Sequence, residues 1–299
     1  MTTLRLARGT LWPAIVERTR AALASGALAP IHTEDHVVEQ GGMRFCVRLA
    51  AALAAKPIAA LDGARPPASH RNPFLPPDPA LVVGDVSDTH VAVLNKFPVI
   101  AHHLLVVTRA FVPQTAPLDR EDVVAMLAAI AECRALAFYN GGQAAGASQP
   151  HKHLQIVPLP LLASAAMPFE RALAPFTGCF YRVPEFPFAH AVATVPGGCM
   201  ADPEAAAEAV LALCREAASV ARVGAGPYNL LCTAERLMVV ARSTERFNGV
   251  SVNALGFAGS LFAKDARELA VLSAARPLEV LAAVSRPFLP LEAGAQALR

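Results

Sequence analysis

Lysine is nearly missing from this 299-residue chain: of its 26 basic residues only Lys56, Lys96, Lys152 and Lys264 are lysines, the others being arginine. A chain that uses arginine wherever a positive surface charge suffices keeps lysine where a compact ammonium is not replaceable by a planar fork, so each of the four marks a candidate site. Chance retention of any one of them is the alternative. An excess of charge of either sign is also lacking. A net charge of +2 is too small for a protein that binds by neutralising a phosphate backbone, and no nucleic-acid partner is expected. Long apolar runs are absent although 54% of the residues are hydrophobic. The most apolar window, Ile156 to Phe169, is 14 residues long and holds three prolines, where a membrane span needs roughly 20 uninterrupted residues. The opening Met-Thr-Thr-Leu-Arg-Leu-Ala-Arg has no apolar stretch of the kind a secretory signal needs, so no membrane association and a cytoplasmic location are expected. Cys46, Cys133, Cys179, Cys199, Cys214 and Cys232 form no C-x-x-C pair and read as buried reduced thiols. His32 and His36, four apart, are the remaining zinc candidate, and no other protein metal site is expected.

What is present is a chain of short strands and a few long helices. Residues 10–25 carry apolar positions at helical spacing. The stretch from Asp62 to Pro79 holds Pro66, Pro67, Pro73, Pro76, Pro77 and Pro79 and reads as an extended surface connection. Strands are expected at 81–86, 89–95, 103–109, 136–140 and 152–158, with a helix capped by Asp119 or Thr115 running to about Leu136. The second half repeats the flavour, with a helix over 203–220, strands at 228–233 and 237–243, and two helices near 264–285. Leu104-Leu-Val-Val-Thr-Arg109 resembles Leu237-Met-Val-Val-Ala-Arg242 and suggests an internal duplication whose second copy has lost its histidines.

The chemistry centres on His151-Lys152-His153-Leu154-Gln155. On a strand, His151, His153 and Gln155 share one face while Lys152 and Leu154 take the other. A neutral imidazole carries a nitrogen lone pair that can attack phosphorus without a separate base. Gln155 can donate hydrogen bonds but cannot shuttle a proton at neutral pH, so the row favours transfer over acid–base hydrolysis. H-x-H is equally the pattern of a metal pair or of two surface histidines on an edge strand. Upstream, the small-residue loop Asn140-Gly141-Gly142-Gln143-Ala144-Ala145-Gly146-Ala147-Ser148-Gln149 lets backbone amides approach phosphate oxygens, with Ser148 adding a hydroxyl donor. Further upstream, the turn Asn95-Lys96-Phe97-Pro98 before His102-His103-Leu104 presents Asn95 to ribose hydroxyls. His70, His90 and His190 read as structural or surface residues.

NKFPVIAHHLLVVTR followed by YNGGQAAGASQPHKHLQIVPLP resembles the histidine-triad superfamily, and within it the diadenosine tetraphosphate phosphorylase (ATP adenylyltransferase) branch, which reads H-x-H-x-Q where hydrolases have a third histidine. NPFLPPDPALVVGDVSDTHVAVLNKF, YNLL and VNALGFAGSLFAK extend the likeness from about Asn72 to Lys264. The resemblance implies an α+β fold: a histidine-triad-like antiparallel sheet with flanking helices, as two triad-like halves over 1–185 and 186–299. It implies that His153 becomes adenylylated, that His151, Gln155 and Ser148 assist, and that Asn140, Gly146, Ala147 and Gln149 hold phosphates and the leaving nucleotide. Asn95 and Lys96 would stand at the ribose and phosphate end. Asn253, Ala254, Leu255 and Lys264 would contribute from the second half, and Lys56 would touch phosphate from the N-terminal region. Ser260 stands where yeast-type members have Met. The implied reaction is diadenosine tetraphosphate plus phosphate to ATP plus ADP, reversibly, in a monomer, with a divalent cation such as magnesium riding on the nucleotide and no organic cofactor. The alternatives are a triad-type hydrolase, an adenylyl transferase with another acceptor such as sulfate, and a non-catalytic nucleotide-binding regulator.

Overall fold

Capped amphipathic segments and β-branched runs assemble around one central sheet in the computed structural model, which describes residues 3–51, 72–162, 170–173 and 180–288. Helix α1 (Leu11–Ser25) ends on Gly26 in the left-handed region, a conformation that glycine adopts without a Cβ penalty. Strands β1 (Thr33–Gln40) and β2 (Met43–Ala50), which no sequence signal announced, form a hairpin across Gly41 and Gly42, both at positive φ. The main sheet comprises β3 (Val82–Asp85), β4 (His90–Leu94), β5 (Leu104–Thr108), β6 (Ala135–Gly141), β7 (His153–Pro158), β8 (His190–Thr194), β9 (Tyr228–Cys232) and β10 (Arg236–Ala241), in the order β3-β4-β5-β7-β6-β9-β10-β8. Every pairing in it is antiparallel. Its inner strands read as continuous apolar runs, as in the wholly buried HVAVL and LLVVT, because both faces are covered. The α+β class with an antiparallel sheet and flanking helices is as expected.

Helices α2 (Arg120–Ala131) and α3 (Pro203–Val220) pack on one face and against each other. Asp119, not Thr115, caps α2: its carboxylate accepts from the Asp122 amide and the Asp122 carboxylate accepts from the Asp119 amide, both at 2.9 Å, a reciprocal capping box. The helix stops at Ala131, short of the expected Leu136, because Ala135 onward is claimed by the centre of the sheet. In α3, Asp202 caps and Pro203 occupies the first turn, where its missing N–H costs nothing. Ala207, Val210, Leu211, Cys214 and Ala217 bury the face toward the sheet. The other face is covered by the C-terminal region: β11 (Arg246–Phe247), β12 (Val250–Ser251), the one-turn α4 (Ala254–Phe257), β13 (Ser260–Ala263), α5 (Ala266–Ala274) and α6 (Pro277–Ala283). β13 pairs in parallel with β2, so the N-terminal hairpin is held on the C-terminal segment.

The sheet has an internal two-fold pattern. β5-α2-β6-β7 and β8-α3-β9-β10 share the order strand, helix, strand, strand, and they meet through β6 and β9, with Asn140 opposite Asn229. A tyrosine precedes each asparagine, and the Tyr139 and Tyr228 rings lie 5.7 Å apart. The two similar hexamers therefore occupy non-equivalent strands: Leu104–Thr108 is β5, the counterpart of β8, whereas Leu237–Ala241 is β10, the counterpart of β7. The β6–β9 pairing also carries one sheet across the expected division at residues 185 and 186. His32 and His36 lie along an extended segment, four residues and thus about 13 Å apart, which rules out the zinc pair that a helix would allow. No helix among the described residues is long and apolar enough to cross a membrane.

Candidate active site

The histidine row lies where the sheet is most protected. β7 sits between β5 and β6, and His151 and His153 are buried, which removes the edge-strand reading. Alternation holds. Leu154 joins the core toward the helices, and Lys152 forms a buried ion pair with Asp122 of α2 while donating to the Pro117 carbonyl at 2.8 Å. Lys152 thus serves the packing of α2 on the sheet, its ammonium lying on the face away from the histidines.

Each ring nitrogen around the row has a defined role. The Asn72 side-chain oxygen accepts from the Phe74 amide at 3.0 Å, so its NH2 donates to His151 Nδ1 at 2.9 Å. His151 Nε2–H then donates to the Thr108 carbonyl at 2.7 Å. With both nitrogens committed, His151 is neither a metal ligand nor a phosphoryl donor; it acts through its own carbonyl, which accepts from His153 Nδ1–H at 2.8 Å. That bond fixes the tautomer and leaves the lone pair on His153 Nε2. Burial pulls the His153 imidazole down to about 4, so it is neutral at pH 7. Gln114, which no sequence signal singled out, holds the His153 backbone: its side-chain oxygen accepts from the His153 amide at 2.8 Å and its NH2 donates to the His153 and Asn140 carbonyls.

A second chain of hydrogen bonds orients Gln155. The Asn95 oxygen accepts from the Phe97 amide, its NH2 donates to His103 Nδ1 at 3.1 Å, and His103 Nε2–H donates to Gln155 Oε1 at 3.0 Å. The Gln155 amide therefore turns its NH2, not its oxygen, toward the cavity it lines. Burial likewise pulls His103 down to about 4, which keeps this relay uncharged. Asn95 is on the cavity wall as expected, with its amide shared with His103.

Asn140 lies on β6, two residues beyond Phe138, which pairs with Gln155; the same register sets Asn140 beside His153. Its oxygen accepts from Asn229 Nδ2 at 2.8 Å and from the Ala254 amide at 3.0 Å. Its Nδ2 is buried with no partner among the described residues, an orphan donor that native structures rarely tolerate without a ligand or water.

The glycine-bearing loop is built differently from an open anion nest. The amides of Gly142, Ala145, Gly146 and Ala147 are spent on carbonyls within it, so the backbone donors of Gly146 and Ala147 do not face phosphate. Gly146 (φ +88°) is required for close approach instead: a Cβ there would stand 2.7 Å from the Asn253 Cα. The exposed Ser148 keeps its place on the cavity wall, and Gln149 lies beside it off the wall.

The cavity itself, about 180 Å³, is lined by Asn95, His103, Gly146, Ser148 and Gln155 from the first half. Asn253, Leu255 and Ser260 of the second half line the facing wall, together with Arg48 of β2. His153, two residues before Gln155 on the same strand face, and Asn140 beside it are buried and do not line the cavity themselves. Arg48 was not foreseen; its guanidinium donates to Ser260 Oγ and the Leu161 carbonyl and pairs with Asp35 at 3.2 Å. Asn253 caps α4 through the Leu255 amide, and the Ala254 amide is taken by Asn140. Off the cavity wall, Lys96 places its ammonium 5.8 Å from the Phe97 ring and Lys264 pairs with Glu268 at 3.3 Å. Lys56, residues 62–71 of the proline-rich connection, His70 and Cys179 lie outside the described residues. His90 and His190 are buried structural residues, bonded to Asp122 and to the Phe188 carbonyl.

Comparison with known proteins gives the family of the chain. Residues 1–175 match the Ap4A phosphorylase N-terminal domain and residues 184–287 the ATP adenylyltransferase C-terminal domain. Diadenosine 5',5'''-P1,P4-tetraphosphate phosphorylase 2 of Saccharomyces cerevisiae is 28% identical over 286 residues, covering 83% of this chain and 86% of that protein. The crystal structure of yeast Ap4A phosphorylase Apa2 in complex with Ap4A superposes with a TM-score of 0.78 at 25% identity, covering 94% of this chain and 99% of that one. The complex of Apa2 with AMP gives 0.77 at 27% identity, covering 97% and 100%. The chain belongs to the Ap4A phosphorylase family, with the adenylyltransferase C-terminal domain following the N-terminal one.

Proposed function

We propose that this protein is a nucleotidyl transferase that cleaves diadenosine tetraphosphate (Ap4A) with inorganic phosphate to give ATP and ADP, reversibly, through an adenylyl-His153 intermediate. The observation that carries the reading is the His103–Gln155 hydrogen bond, which presents a fixed amide donor beside the nucleophile where a hydrolase of the triad type has a third histidine. The similar yeast proteins, solved with Ap4A and with AMP, support the substrate.

In the first step the His153 Nε2 lone pair attacks the α-phosphorus, the bond from that phosphorus to the bridging oxygen breaks, and ATP leaves with the oxygen. In the second, a phosphate oxygen attacks the same phosphorus, the phosphorus–nitrogen bond breaks, and ADP departs. Two in-line displacements give net retention. The Gln155 NH2 and the unpartnered Asn140 Nδ2 donate to the phosphoryl oxygens where negative charge develops, the placement that contributes most to such transfers. Ser148 receives the leaving phosphates, Asn95 the ribose, and Asn253, Leu255 and Ser260 the nucleotide from the opposite wall. Lys56, Lys96 and Lys264 add positive charge toward the polyanion. A divalent cation such as magnesium would ride on the polyphosphate as part of the substrate and offset its charge. In this reading the protein works as a monomer on free nucleotides in the cytoplasm.

The test is to incubate the protein with Ap4A, with and without phosphate, and identify the products. ATP plus ADP formed only with phosphate supports the reading; AMP release without phosphate refutes it in favour of hydrolysis, and adenosine 5'-phosphosulfate formed when sulfate replaces phosphate would reassign the acceptor. His153→Asn is expected to abolish both turnover and covalent labelling by adenylate.

A further inference from the structure

The second half of the sheet has no histidine row, yet the position equivalent to Gln155 is occupied by an unusual residue. Phe138, two residues before Asn140, pairs with Gln155. Pro227, two residues before Asn229, accepts from the Arg242 amide at 2.9 Å. Under the internal two-fold, Arg242 thus stands for Gln155 and Asn229 for Asn140. Arg242 is wholly buried. All of its donor nitrogens are used: Nε on the Val284 carbonyl, one terminal nitrogen on the Ala145 carbonyl and Asn229 Oδ1, and the other on the carbonyls of Thr244 and Val252. None of these acceptors is a carboxylate. Burying a guanidinium among neutral acceptors is expensive, so a purely structural brace is a poor reason to keep one. Burial pulls its pKa down to about 9, and it stays charged at pH 7.

The bonds run toward the reacting centre. Arg242 holds the Asn229 oxygen, which forces the Asn229 NH2 onto Asn140 Oδ1 and the Ala145 carbonyl. With Asn140 Oδ1 taken by Asn229 and by the Ala254 amide, its Nδ2 is the group left without a partner among the described residues, on the residue that the strand register sets beside His153. The relay mirrors the one that runs from Asn95 through His103 to Gln155.

We propose that Arg242 and Asn229 are positioning residues of the second half that orient the Asn140 amide, so that its NH2 donates to the phosphoryl group transferred through His153. This rests on the proposed reaction. Arg242 acts through Asn229, and Asn229 through Asn140; neither touches substrate.

The decisive variant is Asn229→Asp. It is isosteric and gives Arg242 a carboxylate partner, so the fold is retained, but it cannot donate to Asn140 Oδ1, and the Asn140 amide loses its orientation. The expected result is a melting temperature no lower than that of the parent, with kcat for Ap4A phosphorolysis down on the order of 10- to 100-fold and KM changed little, as for a donor engaged mainly in the transition state. In an Asn140→Ala background the same change is expected to alter kcat less than about twofold, because residues acting in series are not additive. Arg242→Lys, with fewer donors, is expected to fall between the parent and Arg242→Met. A folded Asn229→Asp protein with parental kcat overturns the inference, and so does a full additional loss in the Asn140→Ala background. A parent chain that leaves Ap4A intact refutes the proposed reaction itself, a failure recognisable before any variant is compared.

Discussion

Lowering the pH from 7 to 5 is expected to cost this protein most of its stability while leaving the chemistry of the folded fraction intact, and both effects have one cause. His103, His153 and His190 are buried, and burial pulls each of them down to about 4, against about 6.5 in the unfolded chain. A histidine whose pKa is depressed by folding binds its proton more readily when unfolded. The stability it contributes is therefore full above about pH 6.5 and lost as the pH falls toward the folded value. At pH 5 each of the three costs about 2 kcal/mol and together about 6 kcal/mol, comparable with the whole stability of a typical domain. The slope between pH 6 and 5 corresponds to nearly three protons, about 4 kcal/mol per pH unit. Carboxylates titrate mainly below this window, which isolates the histidines. Urea unfolding at intervals from pH 7.5 to 5 measures the slope directly. His190→Gln, far from the nucleophile and able to keep the bonds to Val183 and Phe188, should remove about one proton from it. Over the same range the rate of His153 adenylylation by Ap4A without phosphate should lack a limb near pH 6.5, because His153 is already neutral. A stability that stays flat between pH 7 and 5, or an adenylylation rate that halves near 6.5, would refute the placement of these imidazoles in unsolvated sites.

Three further outcomes follow from the same contacts. Asp122→Ala leaves the Lys152 ammonium, with a side chain 2% exposed, buried without its partner, and should cost about 3–5 kcal/mol in urea unfolding; adding Lys152→Met should recover at least half of that, and a double variant no better than the single would show that the ion pair is not what Asp122 provides. His103→Ala frees the Gln155 amide to rotate and should lower kcat on the order of 10- to 100-fold with the melting temperature within a few degrees of the parent, a misorientation effect; unchanged turnover would remove Gln155 orientation from the mechanism. Gly146→Ala drives a Cβ to 2.7 Å from the Asn253 Cα at φ +88° and should cost about 2 kcal/mol and weaken nucleotide binding in a direct titration, whereas a silent substitution would mean that the two loops do not meet.

The parts of this site legible in the sequence are those set by neighbours along the chain. Strand alternation alone placed His153 and Gln155 on one face with Lys152 on the other, and Asp119 was one of the two candidate caps of α2, beside Thr115. What stayed hidden depends on contacts between distant segments. Gln114 grips the His153 backbone from 39 residues away, counted along the chain, and nothing in VPQTAP marks it. Arg48 reaches the cavity only because β2 pairs in parallel with β13, a pairing between opposite ends of the chain. Local resemblance could even mislead, since aliphatic strands look alike: the matching hexamers lie on β5 and β10, while the true counterparts, β7 and β10, share almost no residues. Scarcity of lysine pointed to Lys152 without saying what holds it there. Its ammonium is buried against Asp122 and the Pro117 carbonyl, on the face away from the histidines, a site that suits a compact point charge. Scarcity thus named the residue, and only its surroundings say that packing, not chemistry, constrains it.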